Sequence, residues 1–287
     1  MTDQLRTLWD FDDLDATELR LRAQLELETD DGVKAEVLTQ LARVEGLRGT
    51  FDAGERLIDD AAALGADSVK AHARIDLEGG RLRRSAGDSE AALPLFESAF
   101  SIALEAGEFF IATDAAHMAA LVAPDPAGFV AWTQRGIELA EANDDAVYWL
   151  GPLLNNLGWQ YYDSGEYTQA LDAFQRALHA RERDPDNPEA EQIARYAVGK
   201  ALRALDRSAD AVPLLEQAVA WADGVNAPDG WFHEELAQDY AAVGRDDDAR
   251  EQARLAVPLL LEADPSFAED VDRVARLRSI AGEEGMT

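Results

Sequence analysis

The sequence predicts an all-α protein, an α-solenoid of about six stacked helical hairpins with capping helices at its N- and C-terminal ends. Two observations support this prediction. A set of small and aromatic residues recurs about every forty positions, and no stretch alternates with the period of two that is typical of a β-strand. Self-similarity at a fixed period indicates a stack of like units, each of which contacts only its neighbours.

The repeat is anchored by a small residue in the middle of the first helix of each unit. The anchors, which are 38, 36, 42, 41 and 38 residues apart, are Ala42, Gly80, Ala116, Gly158, Gly199 and Ala237. Seven residues after most anchors comes a turn-forming glycine or aspartate, which ends the first helix. In the third unit Ala123 takes this place, followed by the helix-ending Pro124.

The second helix of each unit is predicted by residues 12, 16 and 19 positions after the anchor, since these offsets lie on one helical face. The large apolar residues at the middle offset are Ile58, Phe96, Trp132, Phe174 and Leu215. A small anchor lets two antiparallel backbones approach each other, and the large residue fills the space beside it. Arg135 breaks the pattern in the third unit, since the other five units have alanine nineteen residues after the anchor.

Elements outside the repeat are predicted to cap the stack and shield its ends from water. A helix is predicted over 16–29, and a closing helix near 266–281 carries Phe267, Val271 and Leu277 at helical spacing. We therefore divide the chain into an N-terminal capping segment (1–30), the repeat solenoid (31–263) and a C-terminal capping helix and tail (264–287).

The fourth unit resembles the tetratricopeptide repeat family. The residues that carry the resemblance are Leu157-Gly158, Tyr161, Gly165, Ala170, Phe174 and Ala177, with Pro185 near the end of the unit. The unit around Leu236-Ala237 is the second-best match, and the resemblance covers roughly residues 35–262. It implies a right-handed solenoid whose first helices line a concave groove. The family's usual period is 34 residues, and every spacing here is longer.

Composition limits the classes of partner. With 57 acidic and 26 basic residues the net charge is −31, which disfavours nucleic acid and anionic membranes as partners. The chain has no cysteine, so disulfides and thiolate metal sites are excluded. No apolar run is long enough to span a membrane, and the acidic N-terminus does not have the pattern of a signal peptide. We therefore expect a cytoplasmic protein.

No catalytic motif is present. The sequence has no glycine-rich phosphate loop, no HExxH and no nucleophile elbow, and its four histidines are scattered without a second ligand at metal-binding spacing. We therefore expect a protein that is not an enzyme and that has no cofactor and no metal site.

The implied groove has a charge opposite to that of the whole chain. We place on it the positions six and three before each anchor and one and four after it. These 24 positions carry six basic and two acidic residues, where the overall composition gives about two and about five. The predicted peptide-binding residues are Arg43, Arg74, Arg81, Arg84, His117, Asn155, Trp159, Tyr162, Tyr196, Lys200 and Arg203.

Arginine beside aromatic side chains suits a peptide that carries carboxylates or a free C-terminus. The sequence thus favours a non-catalytic interaction scaffold that holds an acidic or C-terminal peptide segment of a protein partner. An alternative interpretation of the basic positions is that they pair with acids on neighbouring units. Alternative functions are a regulatory sensor that binds a small ligand or signalling peptide and acts through a separate partner, and an assembly factor that self-associates.

Overall fold

The computed structural model describes residues 4–283 and is almost entirely helical over that range. Fourteen α-helices and three short 3₁₀-helices occur there, and these residues form no β-strand. The α-helices, in chain order from α1 to α14, are Leu14–Leu27, Asp31–Leu47, Phe51–Leu64, Val69–Ser85, Ser89–Ala106, Phe109–Leu121, Pro126–Ala142, Leu150–Asp163, Tyr167–Arg181, Pro188–Ala204, Ser208–Gly224, Gly230–Ala242, Asp246–Ala263 and Val271–Ala281.

The helices from α2 to α13 form the six hairpins that the sequence predicts, since consecutive helices pair as first and second helix of each unit. The chain divides into two compact units, Met1–Leu153 and Leu154–Thr287. The first unit contains α1 to α7 and the 3₁₀-helix Asp144–Trp149, and the second contains most of α8 and all of α9 to α14. None of the helices between residues 4 and 283 has the length and apolar character of a membrane span.

Small anchors in the first helices lie against large side chains in the second helices, as the spacing predicts. Within the second unit, a Cβ added to Gly158 would stand 2.4 Å from the ring of Phe174, and one added to Gly199 would stand 2.9 Å from Leu215. Phe174 and Leu215 are fully buried. Close approach of the two backbones therefore depends on the missing side chain at the anchor.

The turn within most hairpins contains a residue in the left-handed region, seven positions after the anchor. Gly165 has φ +77°, and Asp206 occupies the same place in the next unit with φ +57°. At this residue the chain leaves the first helix and folds back into the second helix. Aspartate is one of the few non-glycine residues that tolerates this conformation.

The third hairpin departs from the predicted register. Arg135 is exposed and its guanidinium lies 4.5 Å from the ring centre of Trp132, which packs edge-on against Phe100 of α5. The buried residues of α7 are instead Thr133, Gly136, Ile137 and Ala140. The packed face of α7 is thus displaced by about one residue from that of the other second helices, and Gly136 supplies the small contact that Arg135 cannot.

The helices at the two ends overlap the predicted helices but differ from them in their limits. Helix α1 covers Leu14–Leu27, two residues earlier than predicted. At the other end Phe267 lies in a separate 3₁₀-helix, and α14 starts only at Val271, where the side chain of Asp270 accepts a hydrogen bond from the Arg273 N–H. Phe267 is fully buried with Leu277. Residues 1–3 and 284–287 of the predicted capping segments lie outside the described residues.

Candidate functional site

The eleven predicted binding residues fall into two groups, one in each unit. Arg43, Arg74, Arg81, Arg84 and His117 belong to α2, α4 and α6 of the first unit. Asn155, Trp159, Tyr162, Tyr196, Lys200 and Arg203 belong to α8 and α10 of the second unit.

The predicted groove positions form four rows, one at each offset from the anchors. In the first unit, one of these rows is buried. Thr39, Leu77 and Thr113, each three residues before its anchor, are at most 1% exposed and belong to the interior. Acids occupy the positions two residues before the anchor, a row that is not among the four predicted ones, and they are Glu78, Asp114 and Glu235. This row is three positions from the row that follows each anchor, so the two rows share a helical face.

Arg74 and Arg81 pair with these and other acids inside the first unit. The Arg74 Nε donates to Glu36 Oε2 at 2.8 Å, and both side chains are buried. Arg81 donates to Glu78 Oε1 at 2.6 Å and also to Asp114 on the next hairpin. For these two residues the structure supports the alternative interpretation, pairing with acids on neighbouring units.

Arg43 and Arg84 differ from them, because no carboxylate among residues 4–283 forms an ion pair with either. Arg43 is half-buried on α2, and this burial is the main reason why the pKa of its guanidinium group is lowered. Arg84 is exposed near the end of α4. Both side chains line a cavity of about 360 Å³ within the first unit. The cavity therefore has positive charge that the described residues do not directly neutralise.

His117 and two aromatic residues form another part of the same cavity. The ring centres of His117 and Trp149 are 5.4 Å apart, and Tyr148 packs edge-on against Trp149. Burial lowers the pKa of His117 to about 4, so this ring is neutral at pH 7. The indole Nε1 of Trp149 is buried, and no hydrogen-bond acceptor reaches it within the described chain.

Tyr148 and Trp149 were not predicted as site residues. They lie in the 3₁₀-helix Asp144–Trp149, which follows the third hairpin and falls outside the repeat pattern. The sequence gives little signal for this element, since the spacing from Ala116 to Gly158, 42 residues, is only one residue longer than the spacing from Gly158 to Gly199.

In the second unit the two cations converge on one buried acid. Arg203 Nε donates to Glu235 Oε1 at 2.5 Å, Arg203 Nη2 donates to Glu235 Oε2 at 3.2 Å, and Lys200 Nζ lies 3.5 Å from Glu235 Oε2. The Glu235 side chain is only 1% exposed. A buried carboxylate needs such partners, so both cations contribute to the internal structure of this unit.

The aromatic residues of the second group form one packed cluster. Trp159 lies edge-on against Tyr162 at 5.6 Å between ring centres and contacts Tyr196 at 6.4 Å. Lys200 donates to the Tyr196 hydroxyl at 3.3 Å, and burial raises the pKa of Tyr196. Asn155 is half-buried on α8, about one turn before Trp159. These side chains support α10 as well as presenting partly exposed aromatic surface.

Comparison with known proteins supports the fold. Residues 151–184 match the family described as tetratricopeptide repeat. The apo form of RapI has a TM-score of 0.72 at 12% sequence identity, with 97% of this chain and 79% of that chain covered. BtubC (BKLC) from P. vanneervenii has a TM-score of 0.61 at 16% identity, covering 78% and 93%. A search of curated proteins gave no match.

A third similar structure is the signal transduction ATPase with numerous domains from Pyrococcus horikoshii, which has a tetratricopeptide repeat sensor. Its TM-score is 0.69 at 15% identity, and the match covers 87% of this chain but only 40% of that one. At such identities the likeness is one of fold. Together with the matched repeat at residues 151–184 and the six hairpins, it shows that the chain has the fold of tetratricopeptide repeat proteins.

Proposed function

We propose that this protein is a non-catalytic scaffold that holds an acidic segment of a protein partner in the cavity of its first unit. The observation that carries the proposal is the pair of guanidinium groups, Arg43 and Arg84, which line a cavity without a carboxylate partner in the described chain. The chain has a net charge of −31, so these two arginines give the cavity a charge opposite to that of the chain as a whole. Stacked helical repeats commonly serve as binding surfaces for other proteins.

A carboxylate is the group that fits this cavity best. Arginine forms charge-assisted and often bidentate hydrogen bonds with carboxylates, which are about twice as strong as hydrogen bonds between neutral groups. Because Arg43 is half-buried, an incoming carboxylate would also offset the cost of holding its charge away from water. A C-terminal carboxylate and an acidic side chain share this chemistry.

The aromatic part of the cavity suits the rest of the segment. Trp149 and Tyr148 offer apolar faces, and the Trp149 N–H is a donor that a peptide carbonyl could use after a small rearrangement. The neutral His117 adds no positive charge at pH 7, so the attraction depends on the arginines. Lys200 and Arg203 are outside the proposed site, since both pair with Glu235.

The proposal can be tested with a displayed library of random twelve-residue peptides, selected on the immobilised full chain. We expect the selected peptides to be rich in Asp and Glu or to require a free C-terminus. Labelled versions of these peptides should bind more weakly as salt is raised, because added salt screens the charges. The double variant Arg43→Gln/Arg84→Gln should lower their affinity at least tenfold, the loss expected for about 1.4 kcal/mol or more.

The matched control is Arg56→Gln/Arg135→Gln, which removes the same charge from exposed positions on α3 and α7. This control should bind the selected peptides as the unaltered protein does. The proposal is wrong if selection yields peptides with no acidic bias. It is also wrong if the two double variants bind equally well while retaining the circular dichroism spectrum of the unaltered chain.

A second candidate function is a regulatory sensor in which a ligand shifts the protein between two arrangements. One observation favours it. The N-terminal segment of the chain, residues 5–13, lies beside the proposed cavity and contacts Arg43 through Trp9 and Phe11. A ligand that competes with this segment would change the segment's position, which is a signal that a separate partner could recognise.

A further inference from the structure

The N-terminal segment crosses the inner helices of the first unit. The indole Nε1 of Trp9 donates to Gln40 Oε1 on α2 at 2.9 Å. The Arg6 guanidinium carbon lies 3.5 Å from the ring centre of Tyr148, in the 3₁₀-helix that follows α7. The segment thus extends from the first hairpin to the far end of the same unit, over the surface where the proposed site lies.

Arg43 belongs to the proposed site and is also contacted by the N-terminal segment. The guanidinium of Arg43 lies 5.0 Å from the ring centre of Trp9 and 5.3 Å from that of Phe11, within the range of cation–π attraction. The two rings are stacked on each other at 5.0 Å. Arg43 lines both the large cavity and a second one of about 70 Å³ that Trp9 and Phe11 border. The segment therefore uses a contact that an acidic ligand would also use.

The segment itself has the chemistry expected of a ligand. Residues 9 to 13 read Trp-Asp-Phe-Asp-Asp, so that aromatic and acidic side chains alternate before the terminal pair of acids. Phe11 is 60% exposed although it is a large apolar residue. An aromatic ring left this open on a binding face is held by few contacts.

Two parts of the segment are attached with different strength. Leu5 is buried in the apolar core formed with Leu21 and Leu41, and the Leu8 carbonyl accepts a hydrogen bond from Arg20 Nε at 2.8 Å. Phe11, in contrast, is exposed, whereas Trp9 is partly buried at the edge of this core and donates to Gln40. The part that contains Leu5 can keep its place when Phe11 moves, and Trp9 can follow once its contacts with Gln40 and the edge of the core are broken.

We infer that the side chains of Trp9 and Phe11 are a built-in occupant of the peptide-binding face, and that the partner segment which displaces them is an aromatic residue flanked by acids. This inference rests on the proposed function, whose site it deepens by naming the ligand's pattern. Before a partner binds, the aromatic pair shields Arg43. Binding of the partner then costs the free energy of moving the pair aside. The apparent affinity therefore equals the intrinsic affinity multiplied by the fraction of molecules in which the pair has moved aside.

The test uses a dye-labelled peptide with the sequence of residues 6–13, Arg-Thr-Leu-Trp-Asp-Phe-Asp-Asp, added to full-length protein and followed by fluorescence anisotropy. The double variant Trp9→Ala/Phe11→Ala should bind this peptide at least tenfold more tightly than the unaltered chain. Adding Arg43→Gln to that variant should remove the gain. A peptide in which Trp and Phe are replaced by Ala should not compete.

Phe11→Ala alone serves as the second variant, because a side chain this exposed can be removed with little effect on folding, and it should give part of the gain. Leu27→Ala, which truncates another exposed apolar side chain (79% exposed), is its control and should leave the affinity unchanged. Equal affinity of the Phe11 variant and the unaltered protein, for this peptide and for the library-selected peptides, overturns the inference while the proposed function stands. Failure of every acidic peptide to bind overturns both.

Discussion

Gly80 of α4 lies directly against Phe96 of α5, so closely that a Cβ at Gly80 would stand 2.6 Å from the Cε1 of the ring. Its neighbour Gly79 has much more room, since a Cβ there would meet only the end of Leu95, at 3.8 Å. Two adjacent glycines in one helix thus have different roles, and only the repeat anchor is required to be small.

This difference gives the first prediction. Gly80→Ala should destabilise the first unit by about 1–3 kcal/mol, because Phe96 is fully buried and overpacking forces it or the helices to shift. Gly79→Ala should stabilise the same unit by up to about 1 kcal/mol, because alanine favours the helix. Urea unfolding of the two variants measures both effects. Similar unfolding midpoints for the two would contradict the packing described for the anchor.

Much of the fold could be predicted because the contact between anchor and large residue repeats at a fixed spacing. Gly158 with Phe174 and Gly199 with Leu215 have the same geometry, so the six hairpins follow from the period alone. The packed face of α7 could not be predicted, because it depends on which side of the helix contacts neighbouring side chains. Trp132 satisfies the spacing, yet its ring packs on Phe100 instead.

The candidate site was less predictable, because it depends on neighbours rather than on composition. Counting charges along predicted rows identified Arg81, Lys200 and Arg203 but not the acids that pair with them from the adjacent row. The N-terminal contact was not predictable either, since Trp9 and Gln40 are 31 residues apart and belong to no common repeat. Such contacts are determined by tertiary packing.

The second prediction concerns the acid that joins Lys200 and Arg203. Glu235→Gln should destabilise the second unit by about 2–3 kcal/mol, because it removes charge-assisted hydrogen bonds from two cations that are themselves partly buried. Asp210→Asn, which breaks the exposed pair with Arg207, is the control and should cost no more than about 1 kcal/mol. Chemical unfolding measures both. Equal losses would mean that the pair contributes no more than an exposed one.

The third prediction concerns Asp239, which is fully buried in α12, where Ser208 and Arg203 only partly offset the desolvation of its carboxylate. Burial raises its pKa from 3.8 to about 7. The unfolded chain therefore releases this proton at lower pH than the folded chain does. The contribution of Asp239 to stability consequently falls as the pH rises from about 4 to about 7, and it is constant above that range.

Asp239→Asn should remove this pH dependence and raise the free energy of unfolding at pH 8 by at most about 4 kcal/mol. Asp163→Asn, the same change at an exposed position in the second unit, should leave the dependence in place. Urea unfolding at several values between pH 4 and pH 8 measures the effect. A variant whose stability varies with pH as the unaltered chain does would show that Asp239 does not titrate in this range.

The last prediction has the opposite sign and lies in the first unit. Burial lowers the pKa of His117 from 6.5 to about 4, against the attraction of Asp114 and with the repulsion of Arg81 and Arg84. Its contribution to stability is therefore lost as the pH falls from about 6.5 to about 4, because the unfolded chain takes up the proton first. Between pH 7.5 and pH 5 the loss should be at most about 2 kcal/mol. His117→Gln should remove this loss, whereas His72→Gln, at an exposed position on α4, should not.

Proton NMR of the imidazole C–H signals gives the pKa of His117 directly. A value near 6.5 would show that the His117 ring is in contact with solvent and that the aromatic part of the cavity is more open than described.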